Sequence, residues 1–297
     1  MGRRRRGPRP PPESPLTAAR RRCAAAKAEV AGSGLPAAVA GALRAAAAAL
    51  GGPAAEEPAG AAAFWRRRLR AFRVLGLGSP DDGADACRHQ LAFAQLVAEL
   101  VGAAAPGQGE EGAEGEGEKA KPRPAFEAYD PAFTAADAAL LEELGCAVIP
   151  DARREPQPAA GLTLYYMPHC EAGLYDALLA RNWAPERLPD VVILGNSFAA
   201  YDDRWTMPSA MGAQVRPDRV LAAVPHLREV AVEAKGYRVV SAFNSLALHF
   251  FPEGDLPGAE DRGFWGLGLG GGGEDDDGGD GRDGGEGEED EEDGDGA

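Results

Sequence analysis

Between Leu162 and Asp203 the chain sets apolar runs against an amphipathic stretch: LTLYYM, then EAGLYDALLARN, then VVIL. Short apolar runs rich in β-branched and aromatic residues read as strands, and Leu174, Leu178 and Leu179 at helical spacing predict a helix between them. Each run ends in turn-forming residues, Pro168-His169-Cys170 after the first and Gly195-Asn196-Ser197 after the second. In an open parallel sheet such strand ends line the ligand crevice, so these residues are the first candidates for a site.

The same alternation extends both ways. Ala61 to Arg73 predicts a lead-in helix with Phe64, Trp65, Leu69 and Phe72 near one face. A short strand then runs into a turn at Gly76 and Gly78, followed by a helix over Ala84 to Leu100. Phe126 to Tyr129 is a second strand ending at Asp130-Pro131, and Thr134 caps a helix that stops at Gly145. Further strands are expected at 146–149, 162–167, 191–194 and 238–242. Strands alternating with helices predict an α/β, three-layer Rossmann-like domain with a largely parallel sheet. The polar segment from Tyr201 to Trp205, leading to a helix near 217–227, reads as a lid or partner surface, and Trp183 as a packing residue.

Composition bounds the domain. Residues 1–34 form a basic, Pro-rich leader and 256–297 a Gly-rich acidic tail, both expected to be disordered, as is a Gly, Glu and Pro insertion at 103–124. Residues 35–60 are Ala-rich and read as a surface helix, which leaves 61–255 as the folded domain. The formal charge of -16 is carried mostly by Glu274 to Asp295, where fourteen acids face one Arg. The domain itself is thus close to neutral, and direct nucleic-acid binding by it is not expected. Arg3 to Arg6 read as an import signal or simply as composition. Cys23, Cys87, Cys146 and Cys170 lie far apart, which predicts reduced thiols and no zinc knuckle. With no apolar leader and no long apolar span, a cytoplasmic protein is expected, with the nucleus as a second compartment and no membrane partner.

The candidate chemistry gathers at strand ends. Gly76 and Gly78 open a unit that could hold a cofactor, but the third Gly of a phosphate-binding fingerprint is replaced by Asp81, with Asp82 and Asp85 close by. Those carboxylates repel a pyrophosphate; a cationic cofactor such as S-adenosylmethionine suits them better. Asp130 stands where such folds place the acid that binds ribose hydroxyls, and serves equally as a cap for the turn before Pro131. His169 and Cys170 are sequence neighbours without a Cys-x-x-Cys or His-x-x-x-His partner, so zinc and haem are not expected. Ser197 lacks the second Gly of a nucleophile elbow, and His249, among Leu248, Phe250 and Phe251, reads as a half-buried structural His.

The segments VLGLGS, RHQLAF, YDP, LEELG, YMPHC, ILGNSF and FN...HFFP, spanning about 72–252, resemble in order those of the SRR-like domain, a family named for plants with reduced sensitivity to red light. The resemblance implies a Rossmann-like domain linked to circadian-clock regulation, light signalling and tetrapyrrole or haem synthesis, without an established reaction. Carried over position by position, its candidates are Gly76, Gly78, Asp130, His169, Asn196, Ser197 and Asn244. The chain departs from the family pattern at Pro80-Asp81-Asp82 and at Asn244-Ser245-Leu246. A regulatory protein without turnover, acting through small ligands or unidentified protein partners, is therefore expected first. An S-adenosylmethionine-dependent transferase and an acidic interaction scaffold are the alternatives.

Overall fold

The computed structural model describes residues 13–54, 57–81, 83–106, 123–153, 155–205 and 216–267. Within them the chain is mixed α/β, built on a seven-stranded sheet. The strands are β1 (Ala71–Leu75), β2 (Ala125–Tyr129), β3 (Ala147–Val148), β4 (Thr163–Met167), β5 (Val191–Asn196), β6 (Arg228–Ala231) and β7 (Leu246–Phe250), in spatial order β3-β2-β1-β4-β5-β7-β6. The pairs among β1 to β5 are parallel, and β7 runs antiparallel to both its neighbours. The helices are α1 (Pro15–Ala31), α2 (Leu35–Ala49), α3 (Pro58–Arg68), α4 (Asp85–Val101), α5 (Ala135–Glu143), α6 (Ala172–Asn182), α7 (Phe198–Trp205), α8 (Asp218–Ala223) and α9 (Arg262–Trp265).

Successive strand residues point to opposite faces, so β4 and β5 feed two cores. Leu164, Tyr166, Val192 and Leu194 pack with residues of α1 to α4, whereas Tyr165, Met167, Val191 and Ile193 pack with Tyr175, Leu178, Leu179 and Val220 of α6 and α8. Cover on both faces is why these strands read as unbroken apolar runs.

Four stretches depart from expectation. The leader composition predicts disorder, yet residues 15–31 form α1, capped by the Ser14 hydroxyl, which accepts the Thr17 amide. Ala19, Cys23, Ala26 and Val30 make a buried stripe whose small side chains let α1 lie close against α4. Alanine carries little hydrophobicity per residue, which hides such a stripe from a compositional reading. The polar edges are tied down as well: Arg22 pairs with Asp81, Lys27 with Glu99 and Arg238 with Glu29. Nor is α2 a surface helix, since Leu35, Val39, Leu43 and Ala46 belong to the main core. Replacing Ala26 with aspartate is expected to destabilise the protein by roughly 3 kcal/mol, because the new charge would be buried and unpaired. An unchanged thermal midpoint for that variant would show that α1 does not dock.

The expected strand at 238–242 is instead a single 3-10 turn at Val240–Ala242, with Val240 64% exposed. The pattern of β-branched residues there is outweighed by position, because Leu246–Phe250 supplies five buried residues and takes the slot between β5 and β6. The tail also begins later than expected. Residues 256–267 pack on the second core, where the Trp183 indole N–H donates to the Phe264 carbonyl at 2.7 Å and their rings lie 4.6 Å apart. Residues 1–12 of the leader, the insertion from 107 to 122 and the tail from 268 onward lie outside the described residues. Among the described residues no single helix is long and apolar enough to cross a membrane.

Candidate functional site: a cleft at the ends of β4 and β5

The sheet brings the carboxyl ends of β2, β1, β4 and β5 side by side. At the end of β1, Gly76 and Gly78 both adopt φ near +72°, a left-handed conformation that glycine takes without strain. A side chain at either would also collide with protein: a Cβ would stand 2.5 Å from the Cys170 sulfur at Gly76 and 2.8 Å from the Cys87 sulfur at Gly78. Backbone conformation and local packing together account for both glycines. Asp130, at the end of β2, accepts the Gly78 amide at 2.7 Å and the Ala132 amide at 2.8 Å, tying the two loops together. Behind it Asp137 accepts the Ser79 hydroxyl and the Asp81 amide as well as capping α5 with Thr134. Burial opposes ionisation of Asp137, but those hydrogen bonds outweigh it and hold its carboxyl below the usual range. Sequence reasoning missed Asp137, which looks like an ordinary first-turn acid.

Asn196 is the hub of the next pair of strand ends. Its side-chain oxygen accepts the His169 amide at 3.2 Å, and its side-chain amide donates to the Cys170 carbonyl and to the Tyr201 hydroxyl. Its backbone N–H donates to the Tyr175 hydroxyl, which in turn donates to the Met167 carbonyl. One asparagine thus fixes the loop after β4 against the loop after β5. Burial, reinforced by the Asp130 charge, pushes the Cys170 thiol up to about 12, so it stays protonated at neutral pH.

Ser197 caps α7 and has no part in a triad. Its hydroxyl donates to Glu229 at 2.6 Å and accepts the Ala200 amide, while the other Glu229 oxygen accepts the Phe198 and Ala199 amides. The N-terminus of α7 is therefore already filled by a carboxylate from β6. His249, fully buried and not half-buried, lies behind it, with Nδ1 3.1 Å from the Ile193 carbonyl and Nε2 3.2 Å from Glu229. Burial alone would raise the Glu229 carboxyl, but hydrogen bonds from His249, Ser197 and the Ala199 amide reverse the effect and bring it to about 2. Glu229 had no signal in the sequence because β6 is short and half-exposed.

These ends enclose a cleft of about 160 Å³ lined by His169, Asn196, Ser197, Tyr201, Arg204, Asn244 and Ser245, with Ala200. Asn244 and Ser245 arrive on the loop before β7. All the candidates after β4 thus meet in one place, whereas Gly76, Gly78 and Asp130 stay at the neighbouring turn. Arg204 was not singled out from the sequence, although it lies in the segment read as a lid, and Ser245 was noted there only as part of a departure from the family pattern. His169 at φ 55° and Ser245 at φ 52° are the non-glycine residues with positive φ among those described, and both line this cleft. Such backbone costs on the order of 1–3 kcal/mol per residue and gathers at functional sites. Among the described residues no cluster of three His, Cys, Asp or Glu side chains is arranged for a metal.

Residues 62–250 match the model of the SRR1 domain. The chain is 34% identical over 129 residues to Protein SENSITIVITY TO RED LIGHT REDUCED 1 of Arabidopsis thaliana, covering 43% of this chain and 46% of that protein. It is 33% identical over 138 residues to an SRR1-like protein of Drosophila melanogaster, 46% of each chain, and 38% identical over 77 residues to an SRR1-like protein of Mus musculus, 26% of this chain and 31% of that one. The alignments thus span about half or less of these relatives' length. No solved structure matches the chain. With the domain match running from within α3 to the end of β7, the chain belongs to the SRR1 family.

Proposed function

We propose that this chain is a regulatory protein that acts by binding a small ligand or a protein partner at the β4–β5 cleft, without turnover. The observation that carries the reading is the convergence of His169, Asn196, Ser197 and Asn244 on one cleft whose rim holds both strained residues. Its side chains are poor catalysts: the Ser197 hydroxyl is committed to Glu229, His249 is buried behind that carboxylate, and the Cys170 thiol is held protonated. By family resemblance, the regulated processes are clock-linked gene expression and haem biosynthesis, in the cytoplasm with the nucleus as a second compartment. Complementation tests this. In cells lacking the protein, the wild type should restore haem content and rhythm, and Asn244→Ala at equal abundance should not; full rescue by that variant would remove the cleft from the function.

An S-adenosylmethionine-dependent transferase on a Rossmann-like, three-layer domain is the second reading. Its support is the strand order, which over β3-β2-β1-β4-β5 follows the doubly wound pattern with a switch point between β1 and β4, and the place of Asp130 beside the Gly78 turn. Against it, cysteine sulfurs fill the space beside both glycines. A thermal-shift screen with S-adenosylmethionine, nicotinamide and flavin nucleotides, haem and divalent metals separates the two, since a ligand at 100 times its Kd adds about 2.7 kcal/mol. On the transferase reading, Asp130→Ala weakens an adenosine ligand by roughly 1–3 kcal/mol. Absence of any shift with adenosine compounds would eliminate that reading.

A further inference from the structure

The cleft has a built floor and an uncommitted rim. Asn196, Ser197 and Tyr201 spend their polar groups on the protein: Asn196 on His169, Cys170 and Tyr201, Ser197 on Glu229, and the Tyr201 hydroxyl on the Cys170 carbonyl. The first-turn amides of α7 are likewise taken, by Glu229 and by Ser197. A ligand therefore cannot be held by the helix end. It must be held by the rim, where the side chains of His169, Arg204, Asn244 and Ser245 form no hydrogen bond or ion pair within the described residues. Arg204 lies 5.8 Å from the Tyr201 ring centroid, and that aromatic face steadies its guanidinium beside the cleft.

The chemistry of this rim is one-sided. It offers a guanidinium fork, a primary amide, a hydroxyl and an imidazole, and no carboxylate is among the lining residues. The partly buried carboxylate of Glu229, which meets Ser197 of the cleft, is already engaged by that hydroxyl, two backbone amides and His249. The volume of about 160 Å³ is below the roughly 300–1,000 Å³ typical of sites that enclose a whole drug-sized ligand, and fits a compact head group with the remainder outside.

We infer that the cleft binds the oxyanion end of a small ligand, a phosphate or a carboxylate, with Arg204 as its principal charge partner and Asn244 and Ser245 as hydrogen-bond donors. This deepens the proposed function and rests on its cleft. The two strained residues acquire a purpose, because φ near +55° turns His169 and Ser245 toward the same space from opposite loops. The Arg pairing is the stronger part, since a guanidinium meets either oxyanion with two parallel N–H bonds.

The test uses the full chain and two probes, inorganic phosphate and acetate, titrated calorimetrically at constant ionic strength against chloride. Saturable binding of at least one probe is expected; which of the two binds distinguishes phosphate from carboxylate ligands. Arg204→Gln should weaken that binding about tenfold or more, the loss of a charge-assisted pair, whereas Arg153→Gln, beside Glu127 at the β3-β2 edge of the sheet, should leave it unchanged. Failure of both probes to bind, or equal binding by Arg204→Gln, overturns the assignment. The underlying cleft reading fails separately. If a neutral or cationic compound from the thermal-shift screen stabilises the wild type but not Asn244→Ala while neither anion binds, the cleft stands and its anion preference falls. If Asn244→Ala complements fully, both fall.

Discussion

Leu194→Asp is expected to abolish the folded state. Leu194 is fully buried in β5, in register with Tyr166 of β4 on one side and Leu248 of β7 on the other. Its backbone groups belong to the ladder, and its side chain packs in the larger core with Leu164, Val192 and Leu248. Losing a core leucine costs about 2–5 kcal/mol, and an unpaired carboxylate in its place adds several more. Together these match the 5–15 kcal/mol that typically separates folded from unfolded chains. The measurement is soluble yield and a circular-dichroism melt; a normal yield with an unshifted midpoint would place β5 at an edge instead of the middle of the sheet.

Glu229→Gln has the next largest expected effect, and one that depends on pH. The carboxyl titrates at about 2 in the folded protein against 4.5 in the free residue. A depressed folded value means that the stabilisation is present above about pH 4.5 and is lost as pH falls through the interval toward 2. The difference corresponds to roughly 3 kcal/mol at neutral pH, because each unit is worth about 1.4 kcal/mol. Glutamine keeps the shape but carries no charge for the Phe198 and Ala199 amides or for His249. Denaturant titrations at several pH values should therefore show wild-type stability falling on acidification and a variant that begins lower and falls less steeply. Parallel curves would mean that Glu229 is not the ionised cap of α7.

What could be read from the residues follows from how local each signal is. β4, α6 and β5 declare themselves because burial on both faces leaves apolar runs that admit no other reading, and their ends mark His169, Asn196 and Ser197 directly. Thr134 signals the start of α5 through a capping box completed by Asp137. The signals failed where the deciding contact is distant. α1 is a stripe of alanines whose value depends on α4 being there to receive it. β7 was passed over because His249 reads on its own only as a half-buried structural residue, and it is the slot between β5 and β6 that makes Leu246–Phe250 an interior strand. Glu229 and Arg204 come from segments with no motif of their own, and they reach the cleft through the pairing of β6 with β7 and the placement of α7.

The bridge between Ala104 and Ala125 has a consequence for how this domain tolerates change. The Ala104 amide donates to the Pro124 carbonyl, and the Phe126 amide donates to the Ala104 carbonyl, so the two ends of the insertion are clamped at hydrogen-bond distance where it leaves α4 and enters β2. For a flexible loop, each doubling of length adds only about 0.6 kcal/mol to the cost of closure. The register of β1 and β2 is thus anchored by Ala104 and residues 124–126 themselves, so a change in the number of residues between those feet is expected to leave it in place.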